Sequence, residues 1–231
     1  MTFKKIYARA VKRKGEIALL DSLPEINTHQ GLVKVSDAVY LQEMSKCIFR
    51  SGFVWKIVEY KWPNFERAFV NFNPKAVANF SDERLDKLAQ DASIIRNMTK
   101  IKAIRENAMF FLDIIEQHQS FGAFLADWPE DDIVGLLLYL KKHGSRLGGR
   151  TSQYFLRFVG KDTFMFTKDV VTVLIAEGIV DKEPTSQSAL RNVQNAFNQW
   201  HDETGLPYSH LSRIMASSLG TGIEAPNNFS V

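Results

Sequence analysis

The stretch Leu147-Gly148-Gly149-Arg150-Thr151-Ser152 decides how the rest of this sequence is interpreted. An apolar-rich segment from Asp132 to His143 comes before it, with the residue spacing of a helix, and Gly144 ends that segment. After it, Gln153 to Val159 is predicted to form a second helix, which ends at Gly160. The sequence therefore predicts two helices joined by a glycine turn.

A glycine turn between helices can bind an anion. Glycine has no Cβ, so the backbone can approach a ligand closely, and the first N–H groups of the second helix have no partner within that helix. Arg146 and Arg150 flank the turn and add positive charge, so the expected anion is a nucleic-acid phosphate. Thr151 and Ser152 can donate to phosphate oxygens or cap the helix instead. From the turn alone, a plain connection between two packed helices is the better interpretation.

The composition narrows the class of protein. The chain has 231 residues, 45% of them hydrophobic, which is enough for a sizeable core. The one cysteine, Cys47, excludes an internal disulfide and a zinc site built on several cysteines, and it fits a reducing cytoplasm. No apolar run is long enough to cross a membrane, and the N-terminus lacks the apolar core of a signal peptide. The five histidines show no metal-ligand spacing, and the net charge of +3 neither proves nor excludes a nucleic-acid partner.

Helical patterns account for nearly the whole chain, so the predicted fold class is all-α. A basic helix over residues 3–14 is followed by a stretch over 15–35 that we predict to be irregular. The next helix is capped by Ser36 or Asp37 and runs to about Arg50, and Pro63 is placed in the first turn of a further helix. Later helices are predicted to begin at three capping residues, Ser81, Asn97 (or Thr99) and Ser120, and at Asp169.

Seven short motifs in the middle of the chain occur in a characteristic order and spacing. They are Gly52-Phe53-Val54-Trp55, Phe65-Glu66-Arg67-Ala68-Phe69, Phe72-Asn73-Pro74, Leu88-Ala89-Gln90-Asp91, Ile94-Ile95-Arg96-Asn97, Lys100-Ile101 and Ala103-Ile104. Together they closely resemble the bacterial 3-methyladenine DNA glycosylase I family. The glycine turn and its spacing to Asp169 resemble the helix-hairpin-helix signature of the wider glycosylase superfamily, in which the hairpin holds DNA backbone and the aspartate faces the extruded nucleotide.

This resemblance implies a two-lobed helix-hairpin-helix glycosylase-like fold. The expected boundaries are a single domain over 1–219, with a middle bundle at about 36–143 and a second lobe from about 1–35 plus 144–219, and a flexible tail at 220–231. The implied function is base-excision repair of DNA, by hydrolysis of the N-glycosidic bond of alkylated purines in flipped-out nucleotides, with 3-methyladenine first among them. Thr151 occupies the position of the superfamily's nucleophilic lysine, so no strand cleavage is expected.

The resemblance also assigns the partners. The expected partner is double-stranded DNA that contains alkylated bases, and no cofactor is needed because water is the nucleophile. We expect a monomer in a bacterial cytoplasm, associated with the nucleoid and not with a membrane.

Roles follow for individual residues. Asp169 is the expected catalytic residue, since a carboxylate can stabilise positive charge on the sugar and orient or deprotonate water; it can also simply cap a helix. Trp55 is the expected platform for the flipped base, where its indole face would attract a cationic purine, although a core role is the alternative. The DNA-binding residues are expected to be Arg146, Gly148, Gly149, Arg150, Thr151 and Ser152. A solvated helix face is the better explanation of a second basic strip, Lys100, Lys102 and Arg105.

Two departures from the family pattern bear on the site. The family's zinc-binding cysteines and histidines are missing, so no metal is expected. The family's pocket glutamate falls at Cys47, and Glu43, one helical turn earlier on the same face, is the candidate to replace it. The expected base pocket is therefore Trp55, Phe49, Cys47 and Glu43. The departure at Cys47 leaves two other hypotheses open: a catalytically inactive damaged-DNA-binding protein of the same fold, and a helical scaffold whose turn contacts protein.

Overall fold

A computed structural model describes residues 2–219, and every regular element within them is helical. In chain order the α-helices are α1 (Lys4–Lys14), α2 (Glu16–Leu20), α3 (His29–Lys34), α4 (Asp37–Arg50), α5 (Trp55–Ala68), α6 (Pro74–Ala78), α7 (Asp82–Gln90), α8 (Met98–His118), α9 (Phe121–Asp127), α10 (Ile133–His143), α11 (Arg150–Phe158), α12 (Lys168–Ala176), α13 (Gln187–Thr204) and α14 (Tyr208–Ser217). The all-α prediction is confirmed. The predicted tail at 220–231 lies outside the described residues.

Side-chain caps fix where several helices begin. Ser36, Ser81, Asn97 and Ser120 each accept a hydrogen bond from the backbone N–H three residues further along the chain. Such a bond satisfies one of the amides that the first turn leaves without a partner, and it typically stabilises a helix by about 1 kcal/mol. The predicted starts of these four helices are confirmed, because the signal and its effect lie within one turn of chain.

Two local predictions were wrong. The stretch over 15–35 contains α2 and α3, which are short helices that bury Leu19 and Leu32. Pro63 lies inside the continuous helix α5 and does not begin a new one. A proline in a helix interior removes one hydrogen bond and costs about 3 kcal/mol, so packing must offset it. Trp62 beside the proline is buried and stacks on the Phe65 ring, with 4.9 Å between ring centroids.

Backbone contacts divide the chain into two compact units. The described part of the first unit comprises residues 2–26, 129–135 and 162–219, and the second comprises 27–128 and 136–161. Residues 144–161, which were expected in the lobe that contains the chain ends, are grouped with the middle bundle. The reason is that α11 packs against α4.

The second unit is built around α8, which packs against α4, α6, α7 and α9. Its core is rich in aromatic side chains: the Phe111 and Phe121 rings stack with centroids 3.9 Å apart, and both are fully buried. Burying one such side chain contributes roughly 1.5–3 kcal/mol. This core fixes α4 and α11 relative to each other, and the candidate site lies on those two helices.

The first unit packs α1 and α12 against α14. Its core includes Phe164 stacked on Phe197, with ring centroids 4.3 Å apart, and Phe3 against Trp200 at 5.7 Å. The basic helix α1 is formed as predicted, and its Arg9 makes an ion pair with Glu177 at 2.7 Å.

Candidate functional site

The glycine turn forms as predicted, between α10 and α11. Two reciprocal hydrogen bonds attach it to α8: the Asn107 amide nitrogen donates to the Ser145 carbonyl at 3.0 Å, and the Ser145 N–H donates to the Asn107 side-chain oxygen at 2.7 Å. Asn107 is fully buried. Because a buried amide is costly unless it is hydrogen-bonded, this pair specifies the position of the turn.

Gly149 occupies the position just before α11, and only glycine adopts its backbone conformation readily. Its φ is 61° and its ψ is −129°, a region that a Cβ makes unfavourable. No side chain caps the N-terminus of α11, and Thr151 and Ser152 lie inside its first turn. The alternative role of these two residues as caps was therefore wrong. The positive end of the helix is instead formed by backbone N–H groups without a side-chain cap at Gly149, the arrangement that suits an anion. Of these groups, the Thr151 N–H donates to the Gly148 carbonyl at 3.4 Å.

A cavity of about 400 Å³ lies beside this turn, within the second unit. One side is formed by the end of α4 and the start of α5, and its lining residues are Cys47, Arg50, Ser51 and Trp55. The other side is formed by the hairpin, and its lining residues are Gly148, Gly149, Arg150, Thr151, Tyr154 and Phe158. This volume falls within the range of small-molecule sites. The cavity thus brings together Trp55 and four of the predicted phosphate-binding residues.

Aromatic rings and one arginine form the inner wall of the cavity. The Trp55 ring is half-buried and meets Tyr154 and Phe158 edge-on, with centroids 5.5 and 6.2 Å away. The Arg50 guanidinium lies 5.3 Å from the Trp55 centroid and 4.9 Å from that of Phe158. Such cation–π contacts are stronger where water is excluded. A cationic ligand would therefore meet an indole that already has a cation beside it.

Arg50 is held in place by an acid. Its Nε and one terminal nitrogen donate to Glu59 Oε1 at 2.9 and 2.6 Å, and Lys46 contacts the other carboxylate oxygen of Glu59 at 3.0 Å. Burial acts to raise the pKa of Glu59, but the hydrogen bonds from Lys46 and Arg50 outweigh it and hold that pKa below its ordinary value. Glu59 is therefore ionised at neutral pH, and the Arg50 side chain is only 3% exposed.

The structure places the other three predicted base-pocket residues, Cys47, Phe49 and Glu43, in different surroundings. Cys47 lines the cavity, and burial raises the pKa of its thiol to about 12, so it is protonated at neutral pH. Phe49 and Glu43 are not among the lining residues: the Phe49 ring packs in the core against Phe65 at 4.6 Å. Burial raises the pKa of Glu43, one of whose carboxyl oxygens is buried without a hydrogen-bond partner.

Of the six predicted DNA-binding residues, four line the cavity and two are not among its lining residues. Gly148, Gly149, Arg150 and Thr151 line the cavity. Arg146 is exposed on the turn with a φ of 59°, and Ser152 is buried.

The second basic strip is not one solvated face. Lys100 is buried, and its ammonium donates to the carbonyls of Ile48 and Ser51 at the end of α4. Burial and the nearby Arg146 lower the pKa of Lys100 to about 8. Arg105 donates to the Phe80 carbonyl and to Asp82, and Lys102 is exposed. Lys100 thus supports the segment that leads into Trp55.

Asp169 lies in the first unit, in the first turn of α12, and is half-buried. The helix is capped by Thr167, whose hydroxyl accepts from the Val170 N–H at 3.3 Å. The alternative role of Asp169 as the cap was therefore wrong.

Sequence reasoning missed four lining residues: Arg50, Ser51, Tyr154 and Phe158. Helical spacing in the sequence could have indicated three of them. Arg50 follows Cys47 by three positions, and Phe158 follows Tyr154 by four, so each pair shares one face of its helix. Tertiary packing decides that these faces of α4 and α11 both point toward one cavity.

Within the part of the chain that the structure describes, no helix combines the length and apolarity needed to span a membrane. Across residues 2–219 there is also no group of three or more histidine, cysteine or acidic side chains placed to hold a metal ion.

Comparison with known proteins identifies the segment that carries Trp55. Residues 30–137 match the family model described as methyladenine glycosylase. The DNA-3-methyladenine glycosylase 1 of Escherichia coli (strain K12) is 36% identical over 76 residues, which are 33% of this chain and 41% of that protein. The match to the Haemophilus influenzae DNA-3-methyladenine glycosylase is 29% identical over the same length. The alignment thus spans about two fifths of the curated relatives.

Solved structures share the fold. A 3-methyladenine DNA glycosylase I variant, solved in complex with 3-methyladenine, superposes with a TM-score of 0.51 at 21% identity, over 62% of this chain and 84% of that one. The 8-oxoguanine DNA glycosylase of Methanocaldococcus jannaschii superposes with a TM-score of 0.54 at 17% identity, over 91% of this chain and 89% of that one. The fold is therefore that of the helix-hairpin-helix DNA glycosylases, and residues 30–137, a little under half of the chain, are similar to the methyladenine glycosylase family.

Proposed function

We propose that this protein is a monofunctional DNA glycosylase that hydrolyses the N-glycosidic bond of alkylated purines. One observation carries the proposal: a cavity large enough for a base lies between the family segment around Trp55 and the amino end of α11. An aromatic wall beside a helix terminus is complementary to a flipped-out nucleotide, whose base needs a stacking surface and whose phosphate needs N–H donors. The names of the relatives make 3-methyladenine the first lesion to test.

Each part of the site would have a separate task. The backbone at Gly148 and Gly149, with Arg150 and Thr151, would hold the phosphates and so keep the DNA in register. Trp55 would receive the base, for which base–aromatic stacking is typically worth about 1–3 kcal/mol. Extruding a damaged base costs less than extruding a well-paired one, which favours lesions before any contact in the cavity is made.

The reaction we infer is a hydrolysis. The bond between C1′ and the base nitrogen breaks, its electron pair leaves with the base, and the oxygen of a water molecule bonds to C1′. Asp169 would stabilise the positive charge that develops on the sugar and accept a proton from the water. An N-alkylated purine leaves readily because the departing electron pair neutralises its positive charge. No lysine is among the lining residues of the cavity in the described chain, which supports a monofunctional enzyme.

The partner we propose is double-stranded DNA with alkylated bases, bound by a monomer in the bacterial cytoplasm at the nucleoid. The test is an excision assay in which methylated duplex DNA is incubated with the pure protein and the released bases are identified by mass spectrometry. We expect wild-type protein to release methylated purines. Asp169→Asn should abolish release without changing the affinity for DNA, and Asp181→Asn, an exposed aspartate in a loop of the same unit, should behave as wild type.

Three outcomes would contradict the proposal in different ways. Tight binding to damaged DNA without base release by the wild-type protein would identify a catalytically inactive damage-binding protein. DNA affinity that does not fall as salt concentration rises would argue against phosphate contacts and favour a protein-binding scaffold. Full activity in Asp169→Asn would leave the glycosylase function standing but remove its assigned catalytic residue.

A further inference from the structure

In the described part of the chain, the charged side chains that line the cavity are positive. Within the described part of the chain, the charged lining residues are Arg50 and Arg150, and none is an aspartate or glutamate. A guanidinium donates hydrogen bonds and cannot accept them. The Cys47 thiol is held protonated by burial, so it adds a weak donor and no negative charge. The charged side chains around the cavity are therefore donors only, whereas the hydroxyls of Ser51, Thr151 and Tyr154 can donate or accept.

The two arginines differ in how they are held. Arg150 is exposed on the hairpin, where a guanidinium suits a phosphate. Arg50 is built into the wall, because it is almost fully buried, packs against the Trp55 and Phe158 rings and is tied to Glu59 by two hydrogen bonds. A side chain fixed from three directions keeps its geometry when a ligand enters. Arg50 is thus the charged group whose position in the cavity is best defined.

We propose that Arg50 determines which purine the cavity accepts, and that it selects bases whose outer edge presents hydrogen-bond acceptors. The favoured substrate class is the alkylated 6-oxopurines, such as N3-methylguanine, over the alkylated 6-aminopurines, such as N3-methyladenine. This inference rests on the glycosylase function proposed above and narrows its substrate.

The physical reason lies in the two purine edges. A guanine-type edge offers O6 and N7, two acceptors that a guanidinium contacts in a bidentate manner, whereas an adenine-type edge offers N7 and the donor N6-amino group. That amino group would face the Arg50 guanidinium donor against donor, so polar hydrogens on both sides would be left without partners at this edge. Discrimination of this kind typically amounts to about tenfold to hundredfold between the two bases.

The test uses both lesions in one substrate. Duplex DNA treated with a methylating agent contains 3-methylguanine and 3-methyladenine, which are alkylated at the same ring nitrogen and differ at the 6-position. Initial rates of release of each base are measured by mass spectrometry and normalised to its content in the DNA. We expect the ratio of 3-methylguanine to 3-methyladenine release to be at least about tenfold higher for this protein than for the Escherichia coli relative assayed in parallel.

A variant then assigns the effect to one side chain. Glutamine is the amide that pairs with N6 and N7 of adenine, so Arg50→Gln should lower the release ratio by about tenfold or more. Arg84→Gln is the matched control, because Arg84 also lies over an aromatic ring, that of Phe80 at 3.6 Å, and is not among the lining residues. Its release ratio should equal that of the wild type.

The outcomes separate this inference from the function on which it rests. If the wild-type protein releases no methylated base, the glycosylase function fails and the inference with it. If the protein releases 3-methyladenine with the same preference as the Escherichia coli relative, or if folded Arg50→Gln keeps the wild-type ratio, the function stands and the inference is overturned. If Arg50→Gln does not fold, the wild-type ratio decides alone, and a ratio less than about tenfold above that of the relative overturns the inference.

Discussion

Replacing Gly149 by alanine tests the hairpin most directly, because the cost can be assigned to one cause. A Cβ at Gly149 would meet no atom within 4 Å, so the substitution creates no steric clash. The cost of the substitution therefore comes from the backbone at position 149, whose φ of 61° and ψ of −129° are unfavourable for an L-residue. Such conformations cost about 1–3 kcal/mol. We therefore expect Gly149→Ala to lower the free energy of unfolding by about 2–3 kcal/mol, toward the upper end of that range.

Gly205→Ala is the matched control. Its Cβ would also meet nothing within 4 Å, but its φ of 67° and ψ of 6° lie in the left-handed helical region. Alanine tolerates that region at a cost of about 1–2 kcal/mol. Gly205 follows α13 in the first unit, which contains none of the residues assigned to phosphate.

The assay has two readouts, denaturant unfolding and the affinity for a short DNA duplex at low salt. Gly149→Ala should lose more stability than Gly205→Ala and should bind DNA at least about tenfold more weakly, because relief of the strain moves the amides at the start of α11. Gly205→Ala should keep the wild-type affinity. Equal losses of stability in the two variants, together with unchanged DNA binding by Gly149→Ala, would refute the reasoning.

Two further predictions concern charged side chains that contact α4. Lys100→Met removes the donor to the last carbonyls of α4 and should lower the free energy of unfolding by about 1–3 kcal/mol in thermal or denaturant melts; an unchanged stability would show that water or another donor replaces it. Lys46 and Arg50 hold the pKa of Glu59 below its ordinary value of 4.5, against the effect of burial. Ionisation of Glu59 therefore stabilises the fold fully at pH values above 4.5, and this stabilisation decreases as the pH falls through the pKa that Glu59 has in the folded protein. The stability difference between wild type and Glu59→Gln should therefore be constant above about pH 5 and shrink in more acidic buffers, and a difference that grows on acidification would contradict this.

Part of the fold follows from the sequence because its causes are local. The caps at Ser36, Ser81, Asn97 and Ser120 each involve four consecutive residues, so the starts of those helices were predictable. The all-α class follows from apolar spacing along single segments. Pro63 shows the limit of this approach, because the rule for an isolated helix places proline at a helix start, whereas stacking of Trp62 in the core keeps α5 continuous.

The sequence by itself determined the family segment, the two helices of the hairpin and the need for glycine at their turn. All three depend on residue types at fixed short spacings. Only the tertiary structure decided which side chains line the cavity: Arg50 enters it, whereas Phe49, its neighbour on the same helix, lies in the core. The physical reason is that adjacent helical residues point in directions about 100° apart, and packing of α4 against α8 and α11 selects which direction is the interior.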